Sequence, residues 1–215
     1  MLKKNAAHIE NSLKMGITHT PANNHWNYFL AIESDFEKTT RYIEFSEDNY
    51  SVYSIEFSKL IMTASQEIDG LMKKICKKLV TDERPTSIGS YKTVIQDNIP
   101  SFFRENVSIP HYGLSSRPWE TWESSVSPLW WRANNKVKHN RTENLREASF
   151  KNAFNAIGAL YITNLYFLRL YSDDPFNVDY DWIPLYHQLT PKNTLFTNGF
   201  DYIHTNVMWA ARPEW

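Results

Sequence analysis

The chain predicts an all-α fold: a bundle of four to five helices followed by an irregular, aromatic-rich C-terminal tail. Three observations carry this. The ten prolines leave two long windows free, residues 22–84 and 129–174, and proline is costly inside a helix. Glycine is equally sparse there, with only Gly70 and Gly158. Within both windows apolar residues recur at helical spacing. At 215 residues, 42% of them hydrophobic, the chain has the length of one domain and enough apolar surface to bury a core.

The elements follow in order. Residues 1–24 read as an N-terminal arm. Trp26, Phe29, Leu30, Ile32, Phe36, Tyr42 and Ile43 form one apolar stripe, which breaks at Ser46-Glu-Asp-Asn. A second, broader stripe runs from Val52 to Leu79 through Phe57, Leu60, Ile61, Ala64, Ile68 and Ile75, and predicts a long helix over about 50–80. Residues 88–98 add a short helix. Residues 99–127, with prolines at 100, 110 and 118 and many serines, predict a packed loop or short extended pieces. Ser127-Pro128 is a helix start signal, so one helix is expected from there to about 140. Another is expected over 143–171, ended by Asp173-Asp-Pro175. The tail holds nine aromatic residues between 176 and 215, and Thr197-Asn-Gly suggests one small hairpin. The domain expectation is therefore an arm at 1–24, a helical domain at 25–172 and an extension at 173–215 packed on it.

Composition narrows the function. A net charge of -1 argues against a protein that coats nucleic acid with a generally basic surface. One cysteine, Cys76, excludes an internal disulfide and a cysteine-rich zinc module. Its lysine neighbours could activate the thiol, but a small buried helix residue is the simpler reading. No apolar run has the roughly 18 residues that span a bilayer, and Met1-Leu-Lys-Lys-Asn-Ala has no apolar stretch behind its lysines. The expectation is a cytoplasmic protein without membrane association.

The segment that carries chemistry is Trp130-Trp-Arg-Ala-Asn-Asn-Lys-Val-Lys-His-Asn-Arg141. At ~100° per residue, Arg132, Asn135, Lys136 and His139 share one helix face, while Trp130, Ala133 and Val137 share the other. Residues 132–151 contain six Lys or Arg against two acids, a concentration of positive charge that the net value hides. These residue types suit an anionic phosphodiester. Histidine titrates near neutrality and moves protons. Arginine grips phosphate oxygens through paired hydrogen bonds. An amide can orient the substrate or the imidazole. Arg132 and His139 lie ~10 Å apart along the axis, so a two-fold dimer that apposes two such helices would best complete one site.

This segment resembles the signature of the HEPN superfamily: all-helical domains, many of them metal-independent RNases in toxin–antitoxin, phage-defence and RNA-processing systems. The family motif is an arginine, four to six residues, then a histidine late in a helical bundle. Arg132 and His139 match its longest spacing. Asn135-Lys136-Val137-Lys138-His139 behind two tryptophans is similar to an uncharacterised bacterial branch. Tyr53-Ser-Ile-Glu-Phe-Ser-Lys-Leu and Ser65-Gln-Glu-Ile-Asp69 resemble that branch's early helices, for a coverage of about 25–172. The chain departs from the pattern at Ala133, where the family usually has a polar residue, and at Asn134, which takes the place of an arginine five residues before His139.

The resemblance implies a homodimer in which His139 serves as general acid or base while the ribose 2′-hydroxyl attacks phosphorus. Arg132 would hold the phosphate. Asn135, Lys136 and Arg141 would bind RNA, and no metal or other cofactor would be needed. The products would be a 2′,3′-cyclic phosphate and a 5′-hydroxyl. The departures imply an alternative, a non-catalytic interaction module that binds an antitoxin or another partner protein.

Three carboxylates on the long helix, Glu56, Glu67 and Asp69, could pair with Arg132 and orient it. Glu67 is the supporting candidate because it lies in the resembling segment. No pair of histidines has zinc-site spacing, and there is no Gly-x-Ser-x-Gly elbow or glycine-rich phosphate loop. Trp119, Trp122, Trp130 and Trp131 could stack on bases. Packing is the commoner role, with at least one of them stapling the 99–127 loop to the bundle.

Overall fold

The computed structural model describes residues 24–80, 85–171 and 195–196. Among them are seven α-helices, joined by short 3-10 turns and one two-stranded ribbon. The helices are α1 (Asn24–Lys38), α2 (Ile55–Leu79), α3 (Ile88–Asn98), α4 (Glu120–Glu123), α5 (Leu129–His139), α6 (Arg141–Asn144) and α7 (Phe150–Leu170). The central pair is α2 and α7, the two longest. On α2 pack α1, α3 and α5, and α1 and α5 also reach α7. The predicted all-α bundle is therefore present. No helix among the described residues is long and apolar enough to cross a membrane.

Local chemistry sets the helix ends. The Ser54 hydroxyl accepts from the Phe57 N–H at 3.0 Å and starts α2. Ser87 and Ser90 cap each other's backbone at α3, and the Ser149 hydroxyl accepts from Asn152 N–H at 3.3 Å at α7. Each satisfies an amide that the helix itself leaves free.

Four expected boundaries move. The first stripe was expected to continue to Ile43, but α1 ends at Lys38 in a 3-10 turn, Thr39–Arg41. The Thr39 and Thr40 hydroxyls donate to the carbonyls of Phe36 and Glu37 at 2.6 and 2.7 Å, and Tyr42 is left exposed. The second helix starts at 55 rather than about 50. The Tyr50 and Val52 carbonyls accept from Lys151 and Phe150 N–H, and Ser54 N–H donates to the Ala148 carbonyl. That backbone is spent on pairing across the chain. For the same reason the last helix starts at 150 rather than 143, after α6 and a 3-10 turn at Leu145–Glu147. At α5 the N-cap is Pro128 itself, with no side-chain cap, so Ser127 does not have the capping role that its place before proline suggested.

The 99–127 segment is more ordered than a loop. Strands β1 (Val107–Ile109) and β2 (Leu114–Ser116) pair antiparallel across a turn closed by Gly113, whose φ is +64°. The short extended pieces expected in this segment form a hairpin. The one suggested at 197–199 falls outside the described residues, as do the arm before Asn24 and most of the extension.

Among the described residues, buried aromatic rings gather in two places. Phe36, Phe45, Phe57 and Phe150 meet with ring centroids as close as 4.6 Å. Trp119 contacts Phe102, Trp122 and Trp130 at 4.5–5.1 Å. All are buried, and such contacts add to the area they remove from water. From the extension, Phe196 is fully buried against Phe36 and Phe154.

Candidate functional site on helix α5

Helix α5 has the two faces its spacing predicts. Trp130, Ala133 and Val137 are buried, and Arg132, Asn135, Lys136 and His139 are exposed. Asn134 is also buried, which spacing alone did not indicate. Trp130 anchors the helix: its indole N–H donates to the Pro118 carbonyl at 3.0 Å, which ties the 99–127 segment to α5 as a staple. The exposed stripe therefore stands on a rigid support.

The side chains of Arg132, Asn135 and His139 engage no hydrogen-bond or ion-pair partner among the described residues, and neither does that of Arg141 at the start of α6. Lys136 differs. Its ammonium lies 2.5 Å from the Glu147 carboxylate, so its charge is largely matched by a residue that sequence reasoning did not single out. Arg132 and His139 are seven residues apart on one helix, ~10 Å along its axis. One chain presents them as a stripe and not as a closed pair.

None of the three carboxylates expected near Arg132 pairs with it. Glu56 bonds Lys59 at 2.9 Å. Asp69 bonds Lys73 at 2.6 Å and accepts from the Tyr91 hydroxyl at 2.8 Å, which helps hold that phenol above its usual range after burial. Glu67 accepts from Nδ1 of His25, and Nε2 of the same ring lies 2.5 Å from the Lys74 ammonium. A carboxylate only accepts and an ammonium only donates, so the proton sits on Nδ1 and the Nε2 lone pair is taken. Phe167 closes the ring's edge at 5.0 Å. This chain of contacts ties α1 to α2, and its imidazole has no free nitrogen for proton transfer.

Beside the α5 stripe lies an open cleft of about 460 Å³, lined by Ser51, Tyr53, Arg146, Glu147, Ser149 and Asn152. The Lys136–Glu147 pair joins it to the motif helix. Of its lining, Arg146, Glu147 and Ser149 lie within the basic run already noted, and Arg146 is the one cation among them. Cys76 is fully buried, and burial pushes its thiol up to about 12, as a core residue's would be. Among the described residues no three His, Cys, Asp or Glu side chains converge as a metal site requires.

Comparison with protein-family models, with curated proteins and with solved structures finds no match to this chain.

Proposed function

We propose that the chain is a HEPN-like, metal-independent endoribonuclease acting in a toxin or phage-defence setting in the cytoplasm. The observation that carries this reading is the exposed, partner-free stripe of Arg132, Asn135 and His139 on a helix whose opposite face is locked in the core. Exposed polar side chains held on a rigid element suit ligand contact, and their chemistry suits a phosphodiester. His139 moves the proton between the 2′-hydroxyl and the leaving 5′-oxygen, Arg132 stabilises charge on the phosphoryl oxygens, and Asn135 orients. Lys136 and Arg141 contribute to RNA binding. A homodimer that faces two α5 helices across a two-fold axis brings Arg132 of one subunit near His139 of the other and removes the ~10 Å separation within one helix.

A second reading, a non-catalytic module for an antitoxin or other partner protein, is favoured by Ala133. The position where the family usually carries a polar side chain is here a fully buried core residue. Expression in a bacterial host separates the two. An RNase inhibits growth, and His139→Ala relieves the inhibition while the variant still accumulates folded. A binding module is indifferent to His139.

A further inference from the structure

We propose that the cleft between Tyr53 and Arg146 is a nucleotide subsite, which holds a base and its phosphate next to the phosphodiester bound on α5. This rests on the RNase reading for its place in catalysis, but the binding chemistry stands on the cleft itself. Its walls are rigid. Tyr53 forms a single β-bridge with Ser149, and three backbone hydrogen bonds tie residues 50–54 to 148–151 at 2.7–3.2 Å. Those bonds also occupy the first amides of α7, so the helix N-terminus offers no free N–H to an anion. Positive charge comes instead from Arg146, which is exposed and has no partner among the described residues. Glu147 is neutralised by Lys136, so the cleft is not closed to anions by its own carboxylate.

The other lining groups fit a base. Tyr53 is 46% exposed, with neither ring nor hydroxyl engaged, and presents a stacking surface. The Asn152 amide donates to the Glu147 carbonyl at 2.9 Å, which fixes its orientation and leaves Oδ1 to accept from a base edge. Ser51 adds a hydroxyl. The volume is within the range of small-ligand sites. Lys136 borders the cleft and lies one turn from His139 on the same face, ~5 Å along the axis. A strand with its phosphate at His139 therefore has an adjoining nucleotide within reach of Tyr53 and Arg146. The base must be unstacked to enter, so the strand is unpaired at that point.

The test is titration of the full chain with the four nucleoside 5′-monophosphates, the matching nucleosides and inorganic phosphate, followed by backbone amide shifts. Expected are shifts at 51–53 and 146–152. At least tenfold weaker nucleotide binding is expected in Arg146→Gln, with nucleoside binding unchanged, and weaker binding of both in Tyr53→Leu. Wild-type nucleotide affinity in Arg146→Gln overturns the subsite. So does inorganic phosphate binding as tightly as nucleotides, or shifts confined to 132–139. A protein that binds nucleotides in the cleft yet cleaves no RNA keeps the subsite and loses the RNase reading. RNA cleavage with an unaltered base preference in both variants does the reverse.

Discussion

The Glu33 carboxylate accepts the backbone N–H of Leu195 at 2.8 Å, joining α1 to a residue 162 positions away. The Phe196 N–H reaches the same oxygen at 3.1 Å, and Glu33 is only 4% exposed. Burial raises its pKa from the ordinary 4.5 to about 7, against the two N–H donors that favour the charged form, and Glu37 adds to the rise. The native state therefore binds this proton more tightly than the unfolded chain. Stability from this group is complete below about pH 4.5 and is lost as pH rises to about 7, by about 3 kcal/mol. Urea unfolding should show Glu33→Gln equal to wild type near pH 5 and more stable than it at pH 8. Parallel pH profiles for the two proteins would contradict this.

Gly158 is required by close approach. A Cβ there would lie 2.7 Å from Cγ2 of Val107, a buried, β-branched side chain with little rotamer freedom. Gly158→Ala gains about 1 kcal/mol of helix propensity but overpacks the α7–β1 contact at a cost of about 1–3 kcal/mol. Net destabilisation is expected in thermal or urea unfolding, and Val107→Ala in the same chain should relieve part of it. A variant more stable than wild type would show that the contact yields freely.

Trp130→Phe keeps an aromatic ring but removes the hydrogen bond to the buried Pro118 carbonyl. The expected loss is about 1–3 kcal/mol. Amide exchange should quicken most in 107–123 and α5, since the bond joins these two segments.

The His25–Glu67 contact is structural in this account. Single His25→Ala and Glu67→Ala variants and their double should show a coupling of about 1 kcal/mol. Additive losses would mean that the two side chains do not interact in solution.

Much of the bundle was legible because it is written in local periodicity. The buried stripe of α2 and, Asn134 apart, the two faces of α5 follow from 3.6-residue spacing. The helix starts at 55 and 150 were not legible, because they depend on backbone bonds between 50–54 and 148–151, residues nearly a hundred positions apart. The same limit hid the partners of the charged groups. Glu67 meets His25 and Lys136 meets Glu147 through the packing of α1 on α2 and of α5 against the turn before α7. The cleft was hidden too, since Tyr53, Arg146 and Asn152 share no motif in sequence.

The most direct test of the central claim is cleavage of an unstructured RNA by the purified full chain in EDTA, with product ends identified, for wild type, Arg132→Ala and His139→Ala. Both side chains are exposed and without partners among the described residues, so both variants should unfold as wild type does. Wild type should cleave to 2′,3′-cyclic phosphate and 5′-hydroxyl ends, and each variant should be slower by about 100-fold or more. Wild-type rates in His139→Ala, or no cleavage by the wild-type protein, would contradict the central claim.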